Sequence, residues 1–310
     1  MLLPLGIVGV LVLGLAGWSA FVSRKVEEAV PPDGSFADVP GARLHFLDMR
    51  PEVETGPPIV MLHGLMGQMR NFSHSLAGRL SRDHRVILID RPGWGYSKLT
   101  GPRPGIAAQA GMIAALIEQL GLEKPLLVGH SMGGAVSLAL ALDRPELVRG
   151  LALVAPYTQP VDRPPDVFKG LVVPSVLRGP LAWTVAVPVS IRTGKAKSEA
   201  VFAPDPVPAD FGTRGGGVLT VRPAAFLQGT FEIGIGKAEM ERQAPRYGEI
   251  RVPVAILYGR QDALLDPDLH GTKTAQAIPG GAVETIDGGH MLPVAHAAET
   301  EAWLRRVLAG

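Results

Sequence analysis

Short, mostly apolar runs recur along this chain with helix-patterned segments between them, and few architectures accept that order. The runs are Arg43 to Leu47, Ile59 to Leu62, Val86 to Ile89, Leu126 to Val128, Leu151 to Val154, Val254 to Tyr258 and Ala282 to Ile286. Each is too short for a helix and reads as a strand. Between them, Ile106 to Leu120 carries apolar residues three and four apart, Met132 to Leu142 is rich in Ala and Leu, and Glu299 to Leu308 closes the chain. Strands that alternate with helices pair in parallel through crossovers, so the expectation is an α/β fold with a mostly parallel central sheet and flanking helices. The segment 158–246 breaks the beat, mixing Pro, Gly and large apolar residues, and is expected as an inserted cap over one end of the sheet. The chain then divides into an anchor (1–23), a linker (24–40), a core (41–157 and 247–310) and the cap. At 310 residues and 46% hydrophobic content, the chain can bury one large core or two modest ones.

The first of these pieces is constrained by length. No charged residue occurs from Leu2 to Ser23, and a helix of about 22 residues is about 33 Å long, enough to cross a hydrocarbon layer of about 30 Å. Its faces carry Leu, Val, Ile, Gly and Ala without a polar stripe, which argues against a core helix. A cleaved signal peptide is the rival, but no basic residue precedes the run, and Trp18-Ser19-Ala20 is a poor cleavage site. The expectation is a single-pass membrane anchor. Arg24 and Lys25 follow it, which leans the remaining chain toward the cytoplasm. Pro31-Pro32-Asp33-Gly34 has turn chemistry. Thirty Lys and Arg against 29 Asp and Glu leave a net charge of +1, no surplus for nucleic acid. Without cysteine there is no disulfide, thiolate metal site or thiol nucleophile.

Gly129-His130-Ser131-Met132-Gly133 fits G-x-S-x-G, and its surroundings give the match its force. An apolar run, Pro125 to Val128, leads in, and a helical pattern from Gly134 leads out. So tight a strand-to-helix turn strains its apex, and glycines beside it remove the clashing Cβ atoms. Ser131 would stand at the carboxyl end of the sheet, beside the positive end of a helix. The plainer alternative is a glycine-rich loop with a serine at the helix start.

With that motif go four others, in order: His63-Gly64-Leu65-Met66 after a strand, Asp90-Arg91-Pro92-Gly93-Trp94-Gly95 after the next, Tyr258-Gly259-Arg260-Gln261-Asp262, and Gly288-Gly289-His290. From about Ala42 onward the chain resembles α/β-hydrolases of the capped, serine esterase or lipase type. The resemblance implies a Ser, acid, His order, hence Ser131 as nucleophile, Asp262 as acid and His290 as base. Asp266 and Asp268 compete with Asp262, and His270 is the weakest rival for the base. Backbone N–H groups of Leu65 and Met132 are the implied oxyanion donors. His63 is expected to brace its loop, and Asp90 and Arg91 to pin another. No cofactor and no metal are implied.

The implied reaction is hydrolysis of a carboxylic ester through an acyl-enzyme. Apolar residues of the insertion, Phe168, Leu171, Trp183 and Phe231 among them, could line an acyl pocket or simply pack the cap. Joined to an anchor, they suggest lipid-like esters such as monoacylglycerols or lysophospholipids as the small-molecule partner. The same machinery serves C–C hydrolysis, perhydrolysis and acyl transfer, and a non-catalytic, membrane-tethered ligand-binding protein is the remaining alternative. Epoxide hydrolases and haloalkane dehalogenases share the Asp-Arg-Pro-Gly segment but use a carboxylate nucleophile where this chain has Ser131. Oligomeric state has no signature in the sequence.

Overall fold

In a computed structural model, residues 2–310 are described, with side-chain surroundings from Gly9 onward; Met1, the first residue of the expected anchor, lies outside the described residues. Nine strands form one sheet: β1 (Ser35–Val39), β2 (Ala42–Met49), β3 (Ile59–Leu62), β4 (Val86–Ile89), β5 (Lys98–Leu99), β6 (Leu126–His130), β7 (Gly150–Val154), β8 (Val254–Gly259) and β9 (Ala282–Ile286). The spatial order is β1-β2-β4-β3-β6-β7-β8-β9, with β5 paired to β2. Pairs from β4 through β9 are parallel, whereas β1, β2 and β5 pair antiparallel. All seven expected runs are strands in this sheet. Two further strands had weak signals, because β1 is a half-exposed edge in the expected linker and β5 has only two residues.

β3, β4, β6 and β7 are buried along their whole length, as strands covered by helices on both faces must be. Alternation divides their side chains: Val60 and Leu62 join the core beneath the helices Ile106–Gln119 and Met132–Asp143, while Ile59 and Met61 join that of Phe72, Leu76 and Trp303. Trp303 belongs to the closing helix Ala297–Ala309.

Between β7 and β8 the described residues contain no strand. This insertion is built from helices Ser175–Thr184, Ala186–Phe202 and Pro223–Gln243, joined by shorter turns. The N-terminal helix runs from Leu2 to Ala29, past the last residue of the charge-free run, and packs against the insertion.

Candidate active site

Ser131 occupies the turn between β6 and the helix Met132–Asp143 with φ 53° and ψ −120°. A positive φ at a residue with a Cβ costs of order 1–3 kcal/mol, so its surroundings must enforce it. They do so by crowding. A Cβ on Gly133 would lie 2.0 Å from the Leu62 carbonyl oxygen, and one on Gly129 would lie 2.7 Å from that of Gly133. Ser131 N–H donates to Val154 O at 3.1 Å, and Tyr157 N–H donates to Ser131 O at 2.9 Å, fixing the apex over β7. The turn after β3 closes in from the other side, where a Cβ on Gly64 would come 2.8 Å from that of Ser131.

His290 follows β9 on the Gly288-Gly289 turn. Its Nδ1 lies 2.7 Å from Asp262 Oδ2. That nitrogen donates to the carboxylate, which leaves Nε2 of the neutral ring as an acceptor. Asp262 Oδ1 accepts from the N–H groups of Leu264 at 2.8 Å and Leu265 at 3.1 Å. Burial raises the carboxyl's proton affinity, but the facing His290 and these two N–H groups outweigh it, and Asp262 stays below the usual carboxylate range. The competitors turn elsewhere: Asp266 accepts from Asp268 N–H at 2.9 Å, and Asp268 lies 3.4 Å from the Thr272 hydroxyl. His270 accepts at Nδ1 from Thr158 and Gln159 N–H, both at 3.2 Å, and burial holds it neutral, down to about 4.

Ser131, His290, Leu65 and Met132 line one cavity of about 120 Å³, walled further by Phe168, Ile233 and Leu265. No hydrogen bond joins Ser131 Oγ to the His290 ring among the described residues; such contacts are commonly loose without substrate and tighten in the complex. The Leu65 and Met132 N–H groups have no protein acceptor among the described residues, and both residues line the cavity. No three His, Asp or Glu side chains converge to hold a metal among the described residues.

Behind the Leu65 turn lies a network of which the sequence suggested only Arg91 and His63. Arg91, fully buried, donates from Nε to His63 O at 2.8 Å and from Nη2 to Gly64 O at 3.2 Å. Its N–H donates to His63 Nε2 at 2.9 Å, and burial beside the guanidinium lowers His63 to about 3, so that ring is neutral. Glu232, from the insertion, grips Arg91 through both oxygens at 2.9 and 3.1 Å. Burial pushes its carboxyl up, but Arg91, Trp94 and Gln228 more than offset that and keep it ionised. A second tie from the insertion is Asp205, which accepts from Gly289 N–H at 2.9 Å and faces His296 Nε2 at 2.8 Å. Neither acid has a local signal: Glu232 resembles any helix-surface glutamate, and Asp205 sits between two prolines outside any periodic run.

This sheet order, with a strained serine turn after β6 and an inserted helical segment after β7, is the alpha/beta hydrolase fold. Residues 57–181 match the family model for that fold. The acetyltransferase component of the acetoin cleaving system of Cupriavidus necator is 28% identical, the alignment covering 92% of this chain and 71% of the relative. A 2-hydroxy-6-oxononadienedioate/2-hydroxy-6-oxononatrienedioate hydrolase of Klebsiella pneumoniae is also 28% identical, over 82% of this chain and 87% of its own. A crystal structure of a membrane phospholipase A superposes with a TM-score of 0.66 over 99% of this chain and 96% of the other, at 24% identity, a likeness of fold. Together these matches show the alpha/beta hydrolase fold.

Proposed function

We propose that the protein is a serine hydrolase of carboxylic esters, anchored in a membrane by its N-terminal helix, with Ser131, His290 and Asp262 as its triad. The observation that carries this reading is the His290–Asp262 pair at 2.7 Å, opening onto the same cavity as a serine held at φ 53°. Ser131 Oγ attacks the ester carbonyl while His290 Nε2 takes its proton. The tetrahedral oxyanion lies between the Leu65 and Met132 N–H groups, where losing one donor typically costs about 3–4 kcal/mol in the barrier. The C–O bond then breaks, His290 returns the proton to the leaving alcohol, and water attacks the acyl-enzyme by the same route.

The cavity sets the scale of the substrate. An engineered cavity of roughly 150 Å³ holds benzene, so the space beside Ser131 takes a short acyl group or the ester end of a longer chain. Phe168, Ile233, Leu264 and Leu265 give the cavity an apolar wall, which supports lipophilic esters of the monoacylglycerol or lysophospholipid kind. Fluorophosphonate labelling tests the chemistry: covalent tagging lost in Ser131→Ala is expected, and an untagged, folded wild type would refute it. A panel of p-nitrophenyl esters tests the substrate class, where turnover confined to the acetate would refute the lipophilic reading. The second reading, C–C bond hydrolysis, rests on relatives such as the Klebsiella enzyme; carboxylate release from a ketone substrate without ester turnover would favour it.

A further inference from the structure

We propose that the insertion itself docks on the bilayer, with Val172 to Ile191 and the N-terminal helix forming one continuous lipid-facing surface. The inference rests on reading that helix as membrane-spanning. Among the described residues, large exposed apolar side chains gather in two places: seven in the N-terminal helix and seven between Val172 and Ile191, with only Phe36 and Val53 elsewhere. The second group includes Val176, Leu177, Trp183, Val185 and Ile191. The two groups adjoin, because the N-terminal helix packs on Ser175–Thr184.

The depth follows from that contact. From Gly9 onward, Ala16, Ser19, Val22, Ser23 and Val26 are the shielded positions of the N-terminal helix, three or four residues apart, and so form the stripe that lies against the insertion. Exposed apolar side chains continue past the first of them, at Trp18 and Phe21, and no charge occurs before Arg24. Burying Trp18 and Phe21 in the membrane with the rest of the apolar run therefore brings the neighbouring part of the insertion down to the interface. The side chains there suit that level. Trp18 and Trp183 are both exposed, and Arg178, Arg192, Lys195 and Lys197 outnumber Glu199 between Pro174 and Val201. Phe168, which lines the cavity beside Ser131, precedes Val172 by four residues, so the cavity and the lipid-facing surface are adjacent along the chain.

Trp183 itself can report the contact. Of the four tryptophans, Trp94 and Trp303 are buried at 2% and 1% exposure, so Trp18→Phe leaves Trp183 as the exposed emitter. The full chain carrying Trp18→Phe is reconstituted into phosphatidylcholine–phosphatidylglycerol vesicles with or without brominated acyl chains. Quenching by the brominated lipid is expected, and its loss when Trp183→Phe is added. Quenching equal in the single and double variants of a protein that floats with the vesicles overturns the proposal, whether water or a second copy of the chain covers the surface. A chain that fails to float overturns it together with the anchor, while fluorophosphonate labelling of the same samples reports separately on Ser131. If Trp18→Phe does not fold, wild type against Trp183→Phe makes the same comparison.

Discussion

Asp262 accepts from three N–H groups, one of them the Nδ1–H of His290. An amide in its place keeps the shape but offers the ring a donor where an acceptor is needed, which favours the wrong tautomer. Asp262→Asn is expected to lower kcat by about 10⁴ with the fold retained, and Asp266→Asn to leave kcat near wild type. Steady-state kinetics on a p-nitrophenyl ester, with circular dichroism for the fold, check both; the reverse result would transfer the acid role to Asp266. These candidates could be picked from the sequence because each follows a strand, and strands announce themselves by their apolar runs. Asp205 could not, since its partners Gly289 and His296 lie 84 and 91 positions away. Only folding brings them together.

At the scale of elements, the buried Arg91–Glu232 pair joins the Leu65 turn to the helix Pro223–Gln243. Removing one partner of a buried pair strands the other charge, at a cost of about 3–5 kcal/mol. Glu232→Ala is expected to lower the melting temperature markedly and, by loosening Gly64, to depress kcat; Glu232→Gln, which keeps some of the hydrogen bonds, should lose less. Thermal unfolding and kinetics measured together on the two variants check this, and a Glu232→Ala protein that melts with wild type would refute it. The parallel sheet was legible throughout, its doubly buried strands being nearly unbroken in Val, Ile and Leu. The edges were less so. β1 reads Ser-Phe-Ala-Asp-Val, half polar because half solvated, and its pairing is set by β2 more than by its own composition. The helices of the insertion were obscured in another way, since Pro180 lies inside a helical segment where sequence reasoning expects a break.

For the whole molecule, acid is the expected weakness. His63, His130 and His270 are buried neutral, with burial lowering them to about 3, 3 and 4. An unfolded imidazole takes up its proton near pH ~6.5, so below that the unfolded chain binds more protons and stability falls until the folded values are reached. Each such ring removes up to roughly 1.4 kcal/mol per pH unit in that window. The depressed carboxyls act lower: Asp90, Glu232 and Asp262 contribute stability above the usual carboxylate range and lose it as pH falls through their folded values. Melting temperatures should therefore already decline from pH 7 to 5, before any carboxylate titrates. His270→Asn, whose Oδ1 can take over the two N–H groups that Nδ1 accepts, should flatten that slope, and an unchanged slope would refute the assignment. The hydrogen bond from Gly289 to Asp205 carries a different consequence. Asp205 of the insertion is fastened to the residue before His290. In the proposed mechanism, any displacement of that stretch would slacken the imidazole as well, so a substrate that pushes it aside would also unseat the group that must take the proton.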